Sequence, residues 1–143
     1  MTSATHAAEG SAVEVLVVDP HAPLRAALAA VLAAEAGITV IAAVGTFDEA
    51  LAALRTRRPH VALVDIGALG GRGLEGLAAL RAARPLTAIL AMGVIDDPAF
   101  DRAAVRHGAV GRVLKDTAPA ELAGAVRSAA RHATRLRLAP PQA

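Results

Sequence analysis

Three charged residues stand where short aliphatic runs end. Asp19 closes Val15-Leu16-Val17-Val18, Asp65 closes Val61-Ala62-Leu63-Val64, and Lys115 follows Val110-Gly111-Arg112-Val113-Leu114. Lys115 is the single lysine among 15 lysines and arginines. An ammonium is a compact point charge on a flexible stem, whereas guanidinium is a broad planar fork, so a lone lysine here points to a specific contact. Two carboxylates brought together repel, and an ammonium beside them marks a site that expects a cation. Ligands of open α/β sheets bind outside the carboxyl ends of the strands, where all three residues fall.

The elements that must position them alternate. β-branched runs over about 13–18, 38–43, 60–64, 88–92 and 109–114 predict strands. Ala/Leu/Arg segments with helical spacing follow each of them. The first helix opens near Pro23, with Leu24, Leu28, Val31 and Leu32 on one face. The second opens on Thr46-Phe47-Asp48-Glu49, a capping-box pattern, and carries Leu51 and Leu54 inward. Helices are expected over about 74–83, from Asp96-Asp97-Pro98 to His107 with Gly108 as a left-handed cap, and from Pro119 to about His132. Gly67–Gly73 lacks the Gly-Lys-Ser/Thr ending of a P-loop and is expected to be a flexible loop. Five βα units predict a doubly wound parallel sheet, flavodoxin-like, in the order 2-1-3-4-5, which makes Asp19 and Asp65 neighbours. The expected organisation is an N-terminal tail over 1–12, one domain over 13–132 and a flexible tail over 133–143.

Composition narrows the classes. Hydrophobic residues make up 55% of the chain, which argues against disorder outside the ends. Only two phenylalanines and no Tyr or Trp are present, so stacking platforms for single-stranded nucleic acid are missing. The absence of cysteine excludes disulfides and thiolate-bound metal. A net charge of +2 is too small to imply nucleic acid by itself. No leader or membrane-spanning run is visible, so a cytoplasmic protein is expected. His6, His21, His60, His107 and His132 show no metal spacing, and no nucleophile–base pair suggests an enzyme.

The stretches Val15 to His21, Val61 to Ile66 and Gly108 to Asp116 resemble the receiver (CheY-like) domain of two-component response regulators, most closely the receivers of LuxR- and NarL-type regulators. The resemblance implies that Asp65 is the phosphoacceptor for a histidine kinase and that Lys115 contacts the phosphoryl oxygens. It implies a Mg²⁺ site at Asp19, Asp65 and the backbone carbonyl of Gly67. A carboxylate approaching a phosphoryl group meets like charge, which a divalent cation and an ammonium offset.

Three positions depart from the family pattern. The second acid after strand one is Pro20, so Mg²⁺ binding is expected to be weak. The hydroxyl residue after strand four is Gly93, and the aromatic switch residue of strand five is Arg112. The expectation is therefore an atypical, stand-alone receiver that works through protein–protein contacts. Its implied partners are a histidine kinase or another signalling protein, and a second copy docked through helix four, strand five and helix five. That face is expected to carry Asp101, Arg102, Arg106, Arg112, Arg127 and Arg131. No element for reading specific DNA is visible. The alternative is a phosphorylation-independent small-molecule-binding module, for which Pro20 and Gly93 leave room in the same crevice.

Overall fold

A computed structural model describes residues 12–94 and 96–139 of the chain. The expected N-terminal tail lies outside the described residues except for its last position, as do 140–143. The chain runs β1 (Val13–Val18), α1 (Ala22–Ala33), β2 (Ile38–Val44), α2 (Phe47–Thr56), β3 (Val61–Asp65), a 3-10 segment (Ile66–Arg72), α3 (Glu75–Ala83), β4 (Ala88–Gly93), α4 (Pro98–Arg106), β5 (Ala109–Leu114) and α5 (Pro119–Leu138). The strands form one parallel sheet in the order β2-β1-β3-β4-β5. This is the flavodoxin-like order that the alternating pattern predicts.

Helices cover both faces, so β3 and β4 are buried along their whole length and read as unbroken aliphatic runs. Successive side chains point to opposite faces of the sheet. Val15, Val17, Leu63 and Leu90 pack with Leu28 and Leu32 of α1 and Leu122 and Val126 of α5. Leu16, Val18, Ala62 and Ile89 pack with Phe47 and Leu54 of α2, Leu77 and Leu80 of α3, and Ala104 of α4. With so few aromatic residues, close approach of helices through alanine does the filling. α5 alone buries Ala123, Ala129, Ala130 and Ala133.

Three differences from the sequence expectation have structural consequences. β3 includes Asp65, which pairs in register with Met92. The stretch expected to be a flexible loop after β3 is instead wound into 3-10 turns. Asp65 caps it by accepting from Gly67 N, and Ala68 and Leu69 are buried. Gly70 kinks it at φ +60°, a conformation that disfavours any residue with a Cβ. The third difference is α5, which continues six residues past His132, so 133–138 is helix rather than tail. Ala133 is fully buried, and Arg137 donates to the carbonyls of Arg58 and Pro59. The clustered arginines there read as solvated in sequence, but one of them ties the helix end down.

Candidate functional site

β1 and β3 are adjacent, with Val18 opposite Val64, so Asp19 and Asp65 leave the sheet side by side. Lys115 follows β5, and its N–H donates to Gly93 O at 2.9 Å, which fixes where its side chain starts. The three residues converge. Lys115 Nζ donates to Asp65 Oδ2 and lies 3.4 Å from Asp19 Oδ2. Asp65 Oδ1 accepts from Gly67 N at 2.9 Å, and Asp19 Oδ1 accepts from His21 N at 2.8 Å. Asp19 is fully buried, while 21% of the Lys115 side chain is exposed. Burial works against the ammonium, but the hydrogen bond to Asp65 and the charges of Asp65 and Asp19 outweigh it, so Lys115 titrates above its ordinary value.

Asp19 Oδ2 is buried and accepts no hydrogen bond. A buried carboxylate oxygen left in this state is a suitable donor for a hard cation. Pro20 adds no donor, and among the described residues no cluster of three His, Cys, Asp or Glu side chains forms. Two carboxylates and water still fit Mg²⁺, which keeps several waters when bound. Arg25 steadies this corner by donating to Asp19 O at 2.8 Å. It does so across Gly45, where a Cβ would come within 2.7 Å of the guanidinium.

The two remaining positions of interest lie at the β4 and β5 ends. A Cβ on Gly93 would stand 3.3 Å from Ile66 Cδ1, so the isoleucine leans into the space a side chain would take. A cavity of about 360 Å³ remains there, lined by Asp65, Ile66, Gly93, Val94, Phe100 and Lys115. Arg112 does not lie free. Its Nε and one terminal nitrogen donate to the two oxygens of Asp101 at 2.6 and 2.8 Å, and that terminal nitrogen also reaches Asp96 at 3.0 Å. The hydrogen bond from Arg112 holds the Asp101 carboxyl below its ordinary range, and the same bond raises the arginine further. A planar fork on a carboxylate clamps β5 to α4.

The face made by α4, β5 and α5 needs one correction. Arg127 points the other way and reaches Glu35 at 3.3 Å and Ala36 O at 3.0 Å, beyond the end of α1. Arg131 lines the same side, next to Gly37. Ser128, His132 and Arg135 border β5 instead. The α5 helix turns about 100° per residue, and the sequence reading did not fix which stripe faced the sheet edge. Sequence reasoning also missed the Arg112 clamp and the lean of Ile66. A charged residue inside an aliphatic strand, following Asp101 on the preceding helix and Asp96 just before it, was the available signal for the clamp.

A family model for the response regulator receiver domain matches residues 15–127. The chain belongs to the response regulator receiver family. It is 34% identical over 117 residues to the DNA-binding transcriptional activator DevR/DosR of Mycobacterium tuberculosis, covering 80% of this chain and 53% of that protein. It is 31% identical over 119 residues to the transcriptional regulatory protein YxjL of Bacillus subtilis, covering 83% and 55%. The chain thus spans about half the length of the curated relatives it matches. The receiver domain of a Mycobacterium tuberculosis response regulator, NarL, superposes with a TM-score of 0.77 at 30% identity, over 85% of this chain and 98% of that one. A LuxR-family two-component regulator from Aurantimonas gives 0.79 at 26%, over 85% and 87%. Receiver domains are signalling modules of two-component systems rather than enzymes. They engage histidine kinases, can dimerise and typically bind Mg²⁺ at the acidic pocket. Among the described residues no helix is long and apolar enough to cross a membrane.

Proposed function

We propose that this receiver keeps the chemistry of phosphoryl acceptance at Asp65 but holds its α4–β5 face in one arrangement, so that its output runs through protein contacts that do not depend on phosphate. The observation that carries this reading is the Arg112 fork on Asp101, which occupies the place where the family resemblance puts a mobile aromatic side chain. Releasing an aromatic ring breaks no charge-assisted bond, whereas releasing Arg112 breaks two to Asp101 and one to Asp96.

On this reading a carboxylate oxygen of Asp65 attacks the donor phosphorus. A P–O bond forms, the bond to the donor breaks, and the leaving group keeps that electron pair. Lys115 leaves Asp65 to pair with the phosphoryl oxygens. Asp19, Asp65 and the Gly67 carbonyl would hold Mg²⁺, weakly, since Pro20 supplies no ligand. Bound there, the metal would screen the charge between carboxylate and phosphoryl group. Gly93 offers no hydroxyl to that group, so no side-chain hydrogen bond transmits its arrival to β4.

The cavity beside Gly93 favours a second reading, in which a small molecule with an apolar body rests against Ile66, Val94 and Phe100. Retention of a phosphoryl group on treatment with acetyl phosphate and Mg²⁺, read on a Phos-tag gel, separates the two. A shifted band that Asp65→Asn abolishes supports the first. No shift, together with a thermal shift from a metabolite pool that Gly93→Val removes, supports the second.

A further inference from the structure

The far end of the sheet, where strands begin and helices finish, gathers arginines. Arg55 lies in the last turn of α2, Arg57 and Arg58 follow that helix, Arg84 follows α3, and Arg137 lies in the last turn of α5. Arg58, Arg84 and Arg137 line a cavity of about 200 Å³ with Leu86, which is 45% exposed. Arg84 and Arg137 are half-buried, yet their partners are neutral carbonyls. Arg84 donates to Leu54 O at 2.8 Å and Arg55 O at 3.3 Å. Arg137 donates to Pro59 O at 3.0 Å and Arg58 O at 3.3 Å. Among the described residues no carboxylate pairs with any of the three.

Capping of helix ends accounts for part of this. Each helix C-terminus carries roughly half a negative charge, so α2, α3 and α5 together supply about 1.5. Five guanidiniums exceed that severalfold. Each also presents five N–H donors, of which the carbonyls take few. The excess is felt nearby. The His60 imidazole is held below its ordinary range by burial and then by the charge of Arg137, against the opposing charge of Glu14. A half-buried cation with only neutral partners is left under-compensated, and an anion completes it.

We propose that Arg58, Arg84 and Arg137 form a binding site for a phosphate-bearing anion at the end of the sheet remote from Asp65. Guanidinium forks match phosphate oxygens in pairs, and the cavity suits a pyrophosphate or a lipid phosphate headgroup rather than a larger ligand. The site is independent of Asp65 and of the function proposed above.

Calorimetric titration of the full chain with pyrophosphate at low salt tests it, beside flotation with vesicles of phosphatidylglycerol in phosphatidylcholine. The expected result is pyrophosphate binding that weakens roughly tenfold in Arg58→Ala and again in Arg137→Gln, as loss of a charge-assisted contact implies. Arg102→Ala should leave it unchanged. Arg58 is exposed, so its replacement leaves the fold intact, and a circular-dichroism melt confirms that for each variant. Vesicle binding lost in the same variants, with pyrophosphate binding absent, supports the site and assigns it to a headgroup. Binding of neither probe, or binding that survives both arginine substitutions, overturns the proposal.

Discussion

The crevice at Asp65 and the clamp at Arg112 are built on one plan, a basic side chain between two aspartates, and they behave differently because the cations differ. Lys115 meets Asp65 through one ammonium on a flexible stem and stands 3.4 Å from a second, buried carboxylate. Arg112 grips Asp101 with two parallel bonds and Asp96 with a third. A competing anion can draw the ammonium away by offering it equal charge. The fork must lose paired bonds together. The sheet therefore carries one ion cluster suited to exchange and one suited to hold, their cations supplied by Lys115 and Arg112 at the same end of β5.

Breaking the first cluster should have the largest effect. Lys115→Met leaves Asp19 and Asp65 buried without a counter-charge, and removal of one member of such a buried set costs about 3 kcal/mol. Urea unfolding measures it, and an unchanged midpoint would mean that the ammonium does not balance the carboxylates. Arg112→Ala should lower the melting temperature by less, because Asp96 and Asp101 can turn to water: 77% of the Asp96 side chain is exposed. Arg112→Lys keeps the charge and loses the fork, so it should fall between wild type and alanine. Equality with wild type would show that charge alone suffices.

Titration sharpens the same contrast. Lys115 is raised above 10.5 in the folded chain. Its contribution is fully present below that value and is lost as pH rises through the folded pKa. The stability difference between wild type and Lys115→Met should stay level from neutral pH to about 10.5 and shrink above it. Asp101 is lowered from 3.8, so its contribution is present above that value and is lost as pH falls through the folded pKa. The difference between wild type and Arg112→Ala should therefore collapse only in strong acid. The smallest effect concerns the cation. Millimolar Mg²⁺ should raise the melting temperature of wild type slightly and that of Asp19→Asn not at all, since the Asp19 oxygen that accepts no hydrogen bond is the one the cation would engage.

The sheet order and the meeting of Asp19, Asp65 and Lys115 were legible in the sequence because parallel βα units leave few topologies and place strand ends together. The clamp was not legible. Whether Arg112 reaches Asp101 depends on the register between β4 and β5, which slips by one residue between Ile89 and Leu90. The tie at the end of α5 was hidden for a related reason. Arg137 reads as a solvated charge until the carbonyls of Arg58 and Pro59 are brought beside it from 79 and 78 residues away in sequence. Contacts of this kind are set by tertiary packing rather than by local pattern.

The central claim is that phosphoryl chemistry at Asp65 leaves the α4–β5 face unmoved. Two-dimensional amide NMR spectra of the chain with and without beryllofluoride and Mg²⁺ test it most directly. The account predicts shifts for Asp65, Gly67, Gly93 and Lys115, with the amides of Asp101 and Val113 and the guanidinium Nε of Arg112 in place. Large shifts at those three positions that Asp65→Asn abolishes would contradict it.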